Sequence, residues 1–345
     1  MQIIEILNPK DAGLLELFMG VTAQVYQSDP VWVPQSEGIF QQRFAAAQSL
    51  GQPFLRPVVC VQDDKPLARA VAILEAGAVD DRGRPQGYIA FFECQVPQAG
   101  RLVLEYCERQ LRDWGAHSVQ APRLDNMLMG LLVEGFDLPQ TVLTQHNPPY
   151  YRDILLSQGY QVKEYLYAYH FTRESVIPFP LVLPGFRTRT FDRSRLDDEV
   201  RIFHYLQQEI FSTHPGYVPR SLEQDRQMIG SFLPTLDDEL VIIAEDHAGS
   251  PVGLLICLPD IYQAFKGRPV DSARLISIGA IPRFVSKGIG ALMGTHLAHT
   301  LLAKGFRTVE GSWIRESNVM PKNLAKRFKG QPGRKFALFE KSLVA

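Results

Sequence analysis

Apolar runs with the two-residue period of strands alternate along this chain with amphipathic runs that have the 3.6-residue period of helices. The order of these runs is the same in the two halves. Each half contains a strand hairpin, a further strand, and then a long helix that ends at a glycine, Gly115 in the first half and Gly305 in the second. Glycine commonly closes a helix because it adopts the left-handed conformation without strain. The pattern therefore predicts the element order β-α-β-β-β-α-β-α-β twice.

A short motif supports this repeat. Residues 30–36 (PVWVPQS) and 215–221 (PGYVPRS) share Pro, an aromatic residue, Val, Pro and Ser at the same spacing, and each follows a helical run. Between the halves, residues 174–185 (ESVIPFPLVLPG) contain three prolines, each of which removes a backbone donor, so regular structure is not expected to continue there. We predict an N-terminal domain at 1–173, this linker, and a C-terminal domain at 186–345. One large α/β domain is the alternative.

Composition limits the class of protein. The chain has 345 residues, is 46% hydrophobic, and carries 36 Lys and Arg against 37 Asp and Glu. It can bury a core, its length suits two domains, and its balanced charge gives no general reason to bind nucleic acid or an anionic membrane. No apolar run approaches the roughly 20 residues of a spanning helix, and the N-terminus does not resemble a signal peptide. We therefore expect a cytoplasmic protein without a membrane span.

The cysteine pattern indicates structural thiols. Cys60, Cys94, Cys107 and Cys257 lie in apolar stretches, without a CxxC pair or the spacing of metal ligands. Cysteines in such surroundings are usually buried and reduced in a cytosolic protein. We expect no disulfide and no metal site.

The most informative segment is residues 276–293 (ISIGAIPRFVSKGIGALM), in which a β-branched strand meets a helix through Lys287, Gly288, Ile289 and Gly290. Small residues let the backbone approach a ligand closely, and the free N–H groups at a helix start favour an anion. Lys287 adds a positive charge. The segment lacks both the GxxxxGK[ST] of a P-loop and the third glycine of a dinucleotide fingerprint. It therefore predicts a different kind of phosphate or pyrophosphate cradle, or else a tight strand-to-helix turn.

This segment resembles the coenzyme A pyrophosphate loop of the GNAT acyltransferase superfamily, whose core pattern is Q/R-x-x-G-x-G/A. Val285 stands at the Q/R position, and Arg283 lies two residues earlier. The element order of both halves is also similar to that fold, as in bacterial proteins built from two tandem GNAT domains. The resemblance implies an α/β protein of the α+β type with two tandem GNAT-like domains, each a mixed, mostly antiparallel twisted sheet flanked by helices.

The resemblance also implies a co-substrate, acetyl-CoA or another acyl-CoA, bound by the C-terminal domain. The strand before the loop would pair with the pantetheine arm, the loop would hold the phosphates, and an Asn after the next strand would lie beside pantetheine. The residues implied are Ile278, Gly279, Ala280, Ile281, Arg283, Ser286, Lys287, Gly288, Ile289, Gly290, Ala291 and Asn318.

In the first half, the matching junction (FFECQVPQAGRL) has Pro97 and a single glycine. Proline removes an amide that a phosphate cradle would use, so this half is expected to bind coenzyme A poorly or not at all. Tyr150 and Tyr151 are expected to pack in the core. Tyr165, Tyr167 and Tyr169 share one strand face, which either packs or lines an acceptor groove.

Acyl transfer from a thioester to an amine needs a base for the amine proton, and often an acid for the leaving thiolate. The candidates for catalytic residues are Asp260, Glu310 and Asn318, with Asp260 ranked first among the possible bases because its PDIYQAF segment resembles the tandem family. Glu316 and His214 are weaker candidates, since each of these residue types more often has a structural role. Phe328 stands where the family usually has a Tyr that acts as the general acid, and phenylalanine cannot donate a proton.

Two functions from different classes follow. The first is an acyl-CoA-dependent N-acyltransferase that moves an acetyl or longer acyl group to an amine acceptor. The second is a catalytically inactive GNAT-fold protein that binds a ligand or regulates a partner, as Phe328 and Val285 favour. A third and weaker hypothesis is RNA binding through the basic run at 322–335, which could equally meet the 3′-phosphate of coenzyme A. A homodimer is compatible with all three.

Overall fold

The computed structural model describes residues 1–8, 11–34, 44, 54–123, 129–174, 181–214 and 217–344. These residues form two compact units. The first unit comprises Met1–Leu166 and Arg334–Ala345, and the second unit comprises Tyr167–Gly333. The domain limits at residues 173 and 186 stay predictions. Parts of the linker and of the two motif copies lie outside the described residues, namely 175–180, 35, 36, 215 and 216.

In its described residues the first unit follows the predicted element order with one addition, a short strand before its last helix. Its elements are β1 (Gln2–Glu5), α1 (Ala12–Val25), β2 (Leu55–Gln62), β3 (Lys65–Ile73), β4 (Gln86–Cys94), α2 (Pro97–Asp113), β5 (Ser118–Ala121), the additional β6 (Leu131–Glu134), α3 (Tyr151–Ser157) and β7 (Gln161–Thr172), whose end lies in the second unit.

In its described residues the second unit repeats the order, with the predicted long helical stretch divided into two helices and a one-turn helix added between its third and fourth strands. Its elements are β8 (Phe186–Thr190), α4 (Leu196–Phe211), α5 (Leu222–Phe232), β9 (Val241–Asp246), β10 (Pro251–Pro259), α6 (Tyr262–Phe265), β11 (Ser272–Ala280), α7 (Ile289–Ala303), β12 (Thr308–Arg315) and α8 (Val319–Arg327), with 3-10 turns at Arg193–Arg195, Asp238–Leu240 and Pro282–Lys287. The last strand, β13 (Gln331–Ser342), begins in the second unit and continues from Arg334 in the first.

The helix limits follow local chemistry. Asp11 accepts a hydrogen bond from the Leu14 amide at the start of α1, and Ser221 forms a reciprocal capping box with Gln224 at the start of α5. Gly115 (φ +89°) and Gly305 (φ +83°) follow α2 and α7 in the left-handed conformation. These two glycines confirm the helix ends expected from the sequence.

In the first unit, β1, β2, β3 and β4 pair antiparallel in chain order, and β4 pairs parallel with β5. The C-terminal strand β13 pairs antiparallel with β5, with Phe339 opposite Ala121, and also with β6. In the second unit, β8, β9, β10 and β11 pair antiparallel in chain order, and β11 pairs parallel with β12. The strand pairing within each unit is therefore mixed and mostly antiparallel, which confirms the predicted fold class.

Each unit has its own apolar core. In the first, the buried face of α2 packs on the strands through Val103, Leu104 and Leu111. In the second, α4 and α7 pack on β9 and β10 through residues such as Leu206 and Met293. The four cysteines are buried and free, as expected.

Among the residues that the structure describes, no helix has the length and apolar character needed to cross a bilayer.

Candidate functional site

The strands β11 and β12 separate part-way along their length. Their parallel pairing runs from Ser272 opposite Thr308 to Leu275 opposite Gly311. Both strands continue beyond this point, β11 to Ala280 and β12 to Arg315. These described segments, 276–280 and 312–315, are not paired with each other, and we call them the open ends. The edge of β11 that faces away from β10 is therefore available there to a ligand with amide groups.

A bulge accounts for the separation. The register of β11 against β10 shifts between Ile256 and Cys257, which face Ser277 and Leu275, so Ile276 is an extra residue. A bulge bends its strand and increases the local twist. The bend begins directly after Leu275, the last residue that pairs with β12.

The predicted phosphate cradle lies directly after the open end of β11. Pro282–Lys287 form a 3-10 turn, Gly288 is left-handed with φ +84°, and α7 begins at Ile289. A left-handed residue at this position favours glycine because a side chain would be strained. The first amides of α7 have no partner within the helix, and the helix dipole makes this end attractive to an anion.

Two exposed cations flank the cradle. The Arg283 guanidinium lies 4.8 Å from the centre of the Phe284 ring, and the Lys287 ammonium lies 5.5 Å from it. Phe284 is half-buried and meets Phe186 edge-on with ring centres 5.3 Å apart. The anchored ring thus places two positive charges at the start of α7, beside the exposed Ser286.

Packing does not require glycine at position 290. A Cβ at Gly290 would lie 3.9 Å from Ile278 Cδ1 and 3.9 Å from Leu324 Cδ2, which is ordinary contact, and its φ is not positive. Glycine within a helix costs up to about 1 kcal/mol relative to alanine. Internal packing therefore does not explain the glycine at this position. Close approach of a ligand to the backbone is a reason that would explain it.

The other predicted cradle residues have internal contacts. A Cβ at Gly279 would overlap Ile210 Cγ2, so this glycine lets α4 lie directly on β11. Ile281 is buried, and its amide donates to the Val252 carbonyl at 2.9 Å. Ile289 and Ala291 are also buried, whereas Ala280 is half-buried. These residues can contribute backbone groups to a ligand site, but their side chains belong largely to the core.

Asn318 immediately precedes α8 and is half-buried, and its side chain makes no capping hydrogen bond to that helix. Its amide group can therefore bind a ligand at the end of β12. The neighbouring Glu316 is exposed and accepts a hydrogen bond from the Tyr167 hydroxyl at 3.0 Å.

Glu310 belongs to a buried polar network. It is 1% exposed, Ser312 Oγ donates to its Oε1 at 2.7 Å, and His170 Nε2 lies 3.6 Å from its Oε2. The buried Arg274 donates from Nε to Ser312 Oγ at 2.8 Å, and its guanidinium lies 4.6 Å from the Trp313 ring centre. Both carboxylate oxygens thus have neighbours, and the role of Glu310 as a base stays a prediction.

Sequence reasoning missed Arg274 and His170. The signal for Arg274 is a charged residue within the apolar strand run ARLISIGAI, since a buried arginine requires partners. No sequence signal joins His170 to Glu310, because they lie on different strands.

Asp260 lies at the far end of the hairpin from the cradle. Pro259 is opposite Ala273, whereas Gly253 is opposite Ala280. These two residue pairs are therefore seven residues of extended strand apart along β11, which is about 20 Å. Asp260 is 3% exposed, and its carboxylate accepts from the Tyr262 amide at 3.3 Å, which caps the turn that follows. The structure does not bring Asp260 together with the cradle, and its catalytic role stays a prediction.

Two bacterial proteins resemble this chain in sequence over nearly its whole length. No family model matches the chain. A Caulobacter vibrioides protein named bacterial ceramide synthase is 24% identical over an alignment of 379 residues, which covers 99% of this chain and 98% of that protein. Protein YghO of Escherichia coli is 22% identical over 374 residues, covering 98% of this chain and 94% of its own length.

Solved structures match over the whole chain. A tandem GNAT protein from the clavulanic acid biosynthesis pathway superposes with a TM-score of 0.64 at 11% identity, covering 100% of this chain and 99% of that one. The chain has the tandem GNAT fold. A GCN5-related N-acetyltransferase from Sphaerobacter thermophilus gives a TM-score of 0.60 at 15% identity, covering 99% of this chain and 96% of that one. The resemblance found in the sequence is thus confirmed at the level of the fold.

The first GNAT unit closes the equivalent strand end with its own side chains. The Cys94 amide at the end of β4 donates to the Tyr151 hydroxyl at 2.7 Å, and the Tyr150 hydroxyl donates to the Cys94 carbonyl at 2.6 Å. Tyr151 also donates to Glu93 at 2.8 Å. Burial raises the pKa of Glu93 to about 7, partly offset by the Arg69 charge and by hydrogen bonds from Tyr151 and Tyr26.

The C-terminal basic run does not form one free patch. Arg334 is buried and donates to Thr144 Oγ1 at 2.9 Å. Lys335 pairs with Glu134 at 3.0 Å and lies 4.2 Å from the Tyr165 ring centre. These contacts within the first unit reduce the charge available to RNA. Among the described residues, no group of three or more His, Cys, Asp or Glu is placed to hold a metal ion.

Proposed function

We propose that this protein transfers an acyl group from acyl-CoA to an amine, with the donor bound by the second unit. The observation that carries the proposal is the pair of open ends of β11 and β12 next to the Gly288 junction and its two exposed cations. This arrangement offers a strand edge for the amide groups of pantetheine. It also offers a helix start with positive charge for the pyrophosphate.

Each part of the donor then has protein groups suited to it. Lys287, Arg283 and the first amides of α7 meet the phosphates, and Gly290 permits close approach. The open end of β11 and the Asn318 side chain meet pantetheine. A backbone amide of the open end is suited to polarise the thioester carbonyl, because a donor held in place stabilises the oxyanion that develops during attack.

The acyl chain we propose is a long one. The Caulobacter relative is named a bacterial ceramide synthase, and a ceramide is a fatty-acid amide. Formation of an amide from an acyl thioester and an amine is the same class of reaction as acetyl transfer. A fatty acyl-CoA is therefore a candidate donor beside acetyl-CoA.

Two measurements test the proposal. Isothermal titration of the full chain with acetyl-CoA and palmitoyl-CoA is expected to show one site. Release of free thiol is then followed with octylamine, ethanolamine and sphinganine as acceptors. Absence of binding to both donors would contradict the proposal.

Binding without turnover is the second candidate, and Phe328 favours it. The Phe328 ring packs on α7, where a Cβ at Gly294 would lie 3.2 Å from two of its ring atoms. It cannot protonate a leaving thiolate. If an acid is missing there, Phe328→Tyr is expected to raise the rate of thiol release several-fold without changing donor affinity. If the protein only binds, neither form shows thiol release above the uncatalysed rate.

A further inference from the structure

His214 occupies a fixed position just after α4. Its amide donates to the Phe211 carbonyl at 2.8 Å, and its own carbonyl accepts from the Tyr217 amide at 3.0 Å. Its ring meets the Phe211 ring edge-on with centres 5.2 Å apart. The imidazole is therefore held by both backbone and side-chain contacts.

This position is beside the open ends. The Ile210 side chain lies against the backbone of Gly279 in the open end of β11, which places the last turn of α4 there. The charge of Arg315, the last residue of β12, acts on His214. His214 thus follows the turn of α4 that contacts the open end of β11.

Two buried polar atoms on this side lack a hydrogen-bond partner within the described part of the chain. They are Nδ1 of His214 and Oγ of Ser277, which lies in the open end of β11. Ser277 and Gly279 point to the same face of the strand, because side chains alternate, and that face carries α4. An unmet buried polar atom costs about 1–3 kcal/mol, so each of these two atoms is suited to take a partner from a bound ligand.

The imidazole is suited to accept a proton. Burial, together with the positive charge of Arg315, lowers the pKa of His214 below its ordinary value of 6.5. His214 is therefore neutral at pH 7, and Nδ1 or Nε2 then carries a lone pair. Among the described residues, Arg315 is the charged group that affects the pKa of this imidazole.

We propose that His214 is the general base of the acyl transfer, and that Ser277 contacts the same acceptor amine. This inference rests on the proposed function. The free amine attacks the thioester carbonyl carbon, so that a C–N bond forms and the C–S bond breaks. The amine nitrogen loses one proton to the imidazole, and coenzyme A leaves as a thiolate. The imidazolium then returns that proton to the thiolate through water, which leaves an amide and a free thiol.

The test compares His214→Asn and His214→Gln with the wild-type chain, using palmitoyl-CoA and the amine of the above panel that reacts fastest. We expect kcat to fall at least 100-fold, because general-base catalysis contributes about 10²–10⁴-fold. Donor affinity by titration is expected to change less than twofold. We expect the kcat of the wild type to fall at acidic pH as the imidazole is protonated, and this fall should be absent from both variants. His247→Asn, in an exposed hairpin turn, is the matched control and should keep its activity.

A second measurement does not depend on turnover. The ring proton resonances of His214, assigned by their loss in His214→Gln, should titrate below pH 6.5 and shift when octylamine is added. Unchanged kcat in both variants, together with intact donor binding, overturns the base assignment and leaves the proposed function standing. Failure of the wild type to bind palmitoyl-CoA and acetyl-CoA overturns both. Equal loss of donor binding and kcat in both variants assigns His214 a structural role and also overturns the inference.

Discussion

The two units differ in the junction between two equivalent elements. This junction joins β4 to α2 in the first unit and β11 to α7 in the second. In the first unit only residues 95–96 separate β4 from α2, and Pro97 is the first residue of that helix. In the second unit residues 281–288 separate β11 from α7. The longer junction supplies two exposed cations and a left-handed glycine, whereas the shorter one supplies neither.

The space next to the strand end differs as well. In the first unit, the Tyr150 and Tyr151 hydroxyls bind the backbone of Cys94, and a Cβ at Gly100 would lie 2.8 Å from Cys94 Sγ. In the second unit, Gly290 has room for a Cβ. Repetition of the fold therefore does not repeat the proposed ligand site. A few side chains and six additional junction residues decide which copy keeps a strand edge for a ligand.

The largest effect should come from removing the Tyr151 hydroxyl, which contacts the end of β4 in the first unit. Tyr151→Phe leaves the buried Cys94 amide without its acceptor and removes a donor to Glu93. We expect a loss of about 2–3 kcal/mol in the free energy of unfolding, measured by urea denaturation. Tyr205→Phe, at an exposed tyrosine of α4, is the control and should change it by less than about 0.5 kcal/mol. Equal effects of the two variants would show that the Tyr151 hydroxyl does not close the strand end.

The second prediction concerns pH. The pKa of Glu93 is raised from 4.5 to about 7 in the folded chain, so the folded state holds this proton more tightly than the unfolded state. Its contribution is fully present below pH 4.5 and is lost as the pH rises through about 7. The whole shift corresponds to about 3 kcal/mol, of which about 2.5 kcal/mol falls between pH 5 and pH 8.

Glu93→Gln should remove this part of the pH dependence. Thermal unfolding between pH 5 and pH 8 is expected to show a steeper loss of stability for the wild type than for the variant. Glu105→Gln, on α2 and exposed, provides the control profile. Parallel curves for wild type and Glu93→Gln would contradict the assignment of a protonated carboxyl to the first unit.

A variant at Gly290 tests the strand-to-helix junction of the second unit. Gly290→Ala should fold normally, since the new methyl group has room, but it should obstruct a ligand that approaches the start of α7. We expect the affinity for acetyl-CoA to fall about tenfold, which is about 1.4 kcal/mol. The matched control is Gly230→Ala in α5, where a Cβ meets nothing within 4 Å. If both variants bind equally well, Gly290 is not at the ligand.

The smallest expected effect is that of one exposed charge. Lys287→Gln should weaken acetyl-CoA binding a few-fold at low salt and less at 0.5 M salt, because the interaction is screened. Lys266→Gln, at the exposed end of α6 near the far end of the β10–β11 hairpin, should not change the titration. A loss that does not depend on salt would indicate a structural role for Lys287.

Much of the fold was accessible from the sequence because the local signals agree with one another. The hairpin turns, the glycines after α2 and α7 and the alternation of apolar residues predicted the order of elements in both units. The strand β6 was missed, because four residues carry too little periodic signal. The strand–turn–helix junction at Gly288 was predicted for a similar reason, since it is a local pattern, and its role as a phosphate cradle stays a prediction.

The site could be predicted only in part. The loop residues are contiguous in sequence, whereas Glu310, Ser312, Arg274 and His170 meet through strand pairing that no local pattern encodes. Asp260 follows a strand, as expected, but the antiparallel register places it at the far end from the cradle. His214 is only a weaker candidate from the sequence. Its proposed role as general base depends on an Nδ1 atom without a hydrogen-bond partner in the described residues, which only the packing reveals.

Local sequence is sufficient to predict the repeated element order, the position of the glycine loop and the difference between Pro97 and Gly288. These follow from backbone preferences of individual residues, which act locally. Three features are visible only in the folded chain: β11 and β12 separate after Leu275, tyrosines cover Cys94 in one unit, and the C-terminal strand β13 belongs largely to the first unit. These features depend on pairing between residues far apart in the chain, and the best packing of the whole sheet selects that pairing.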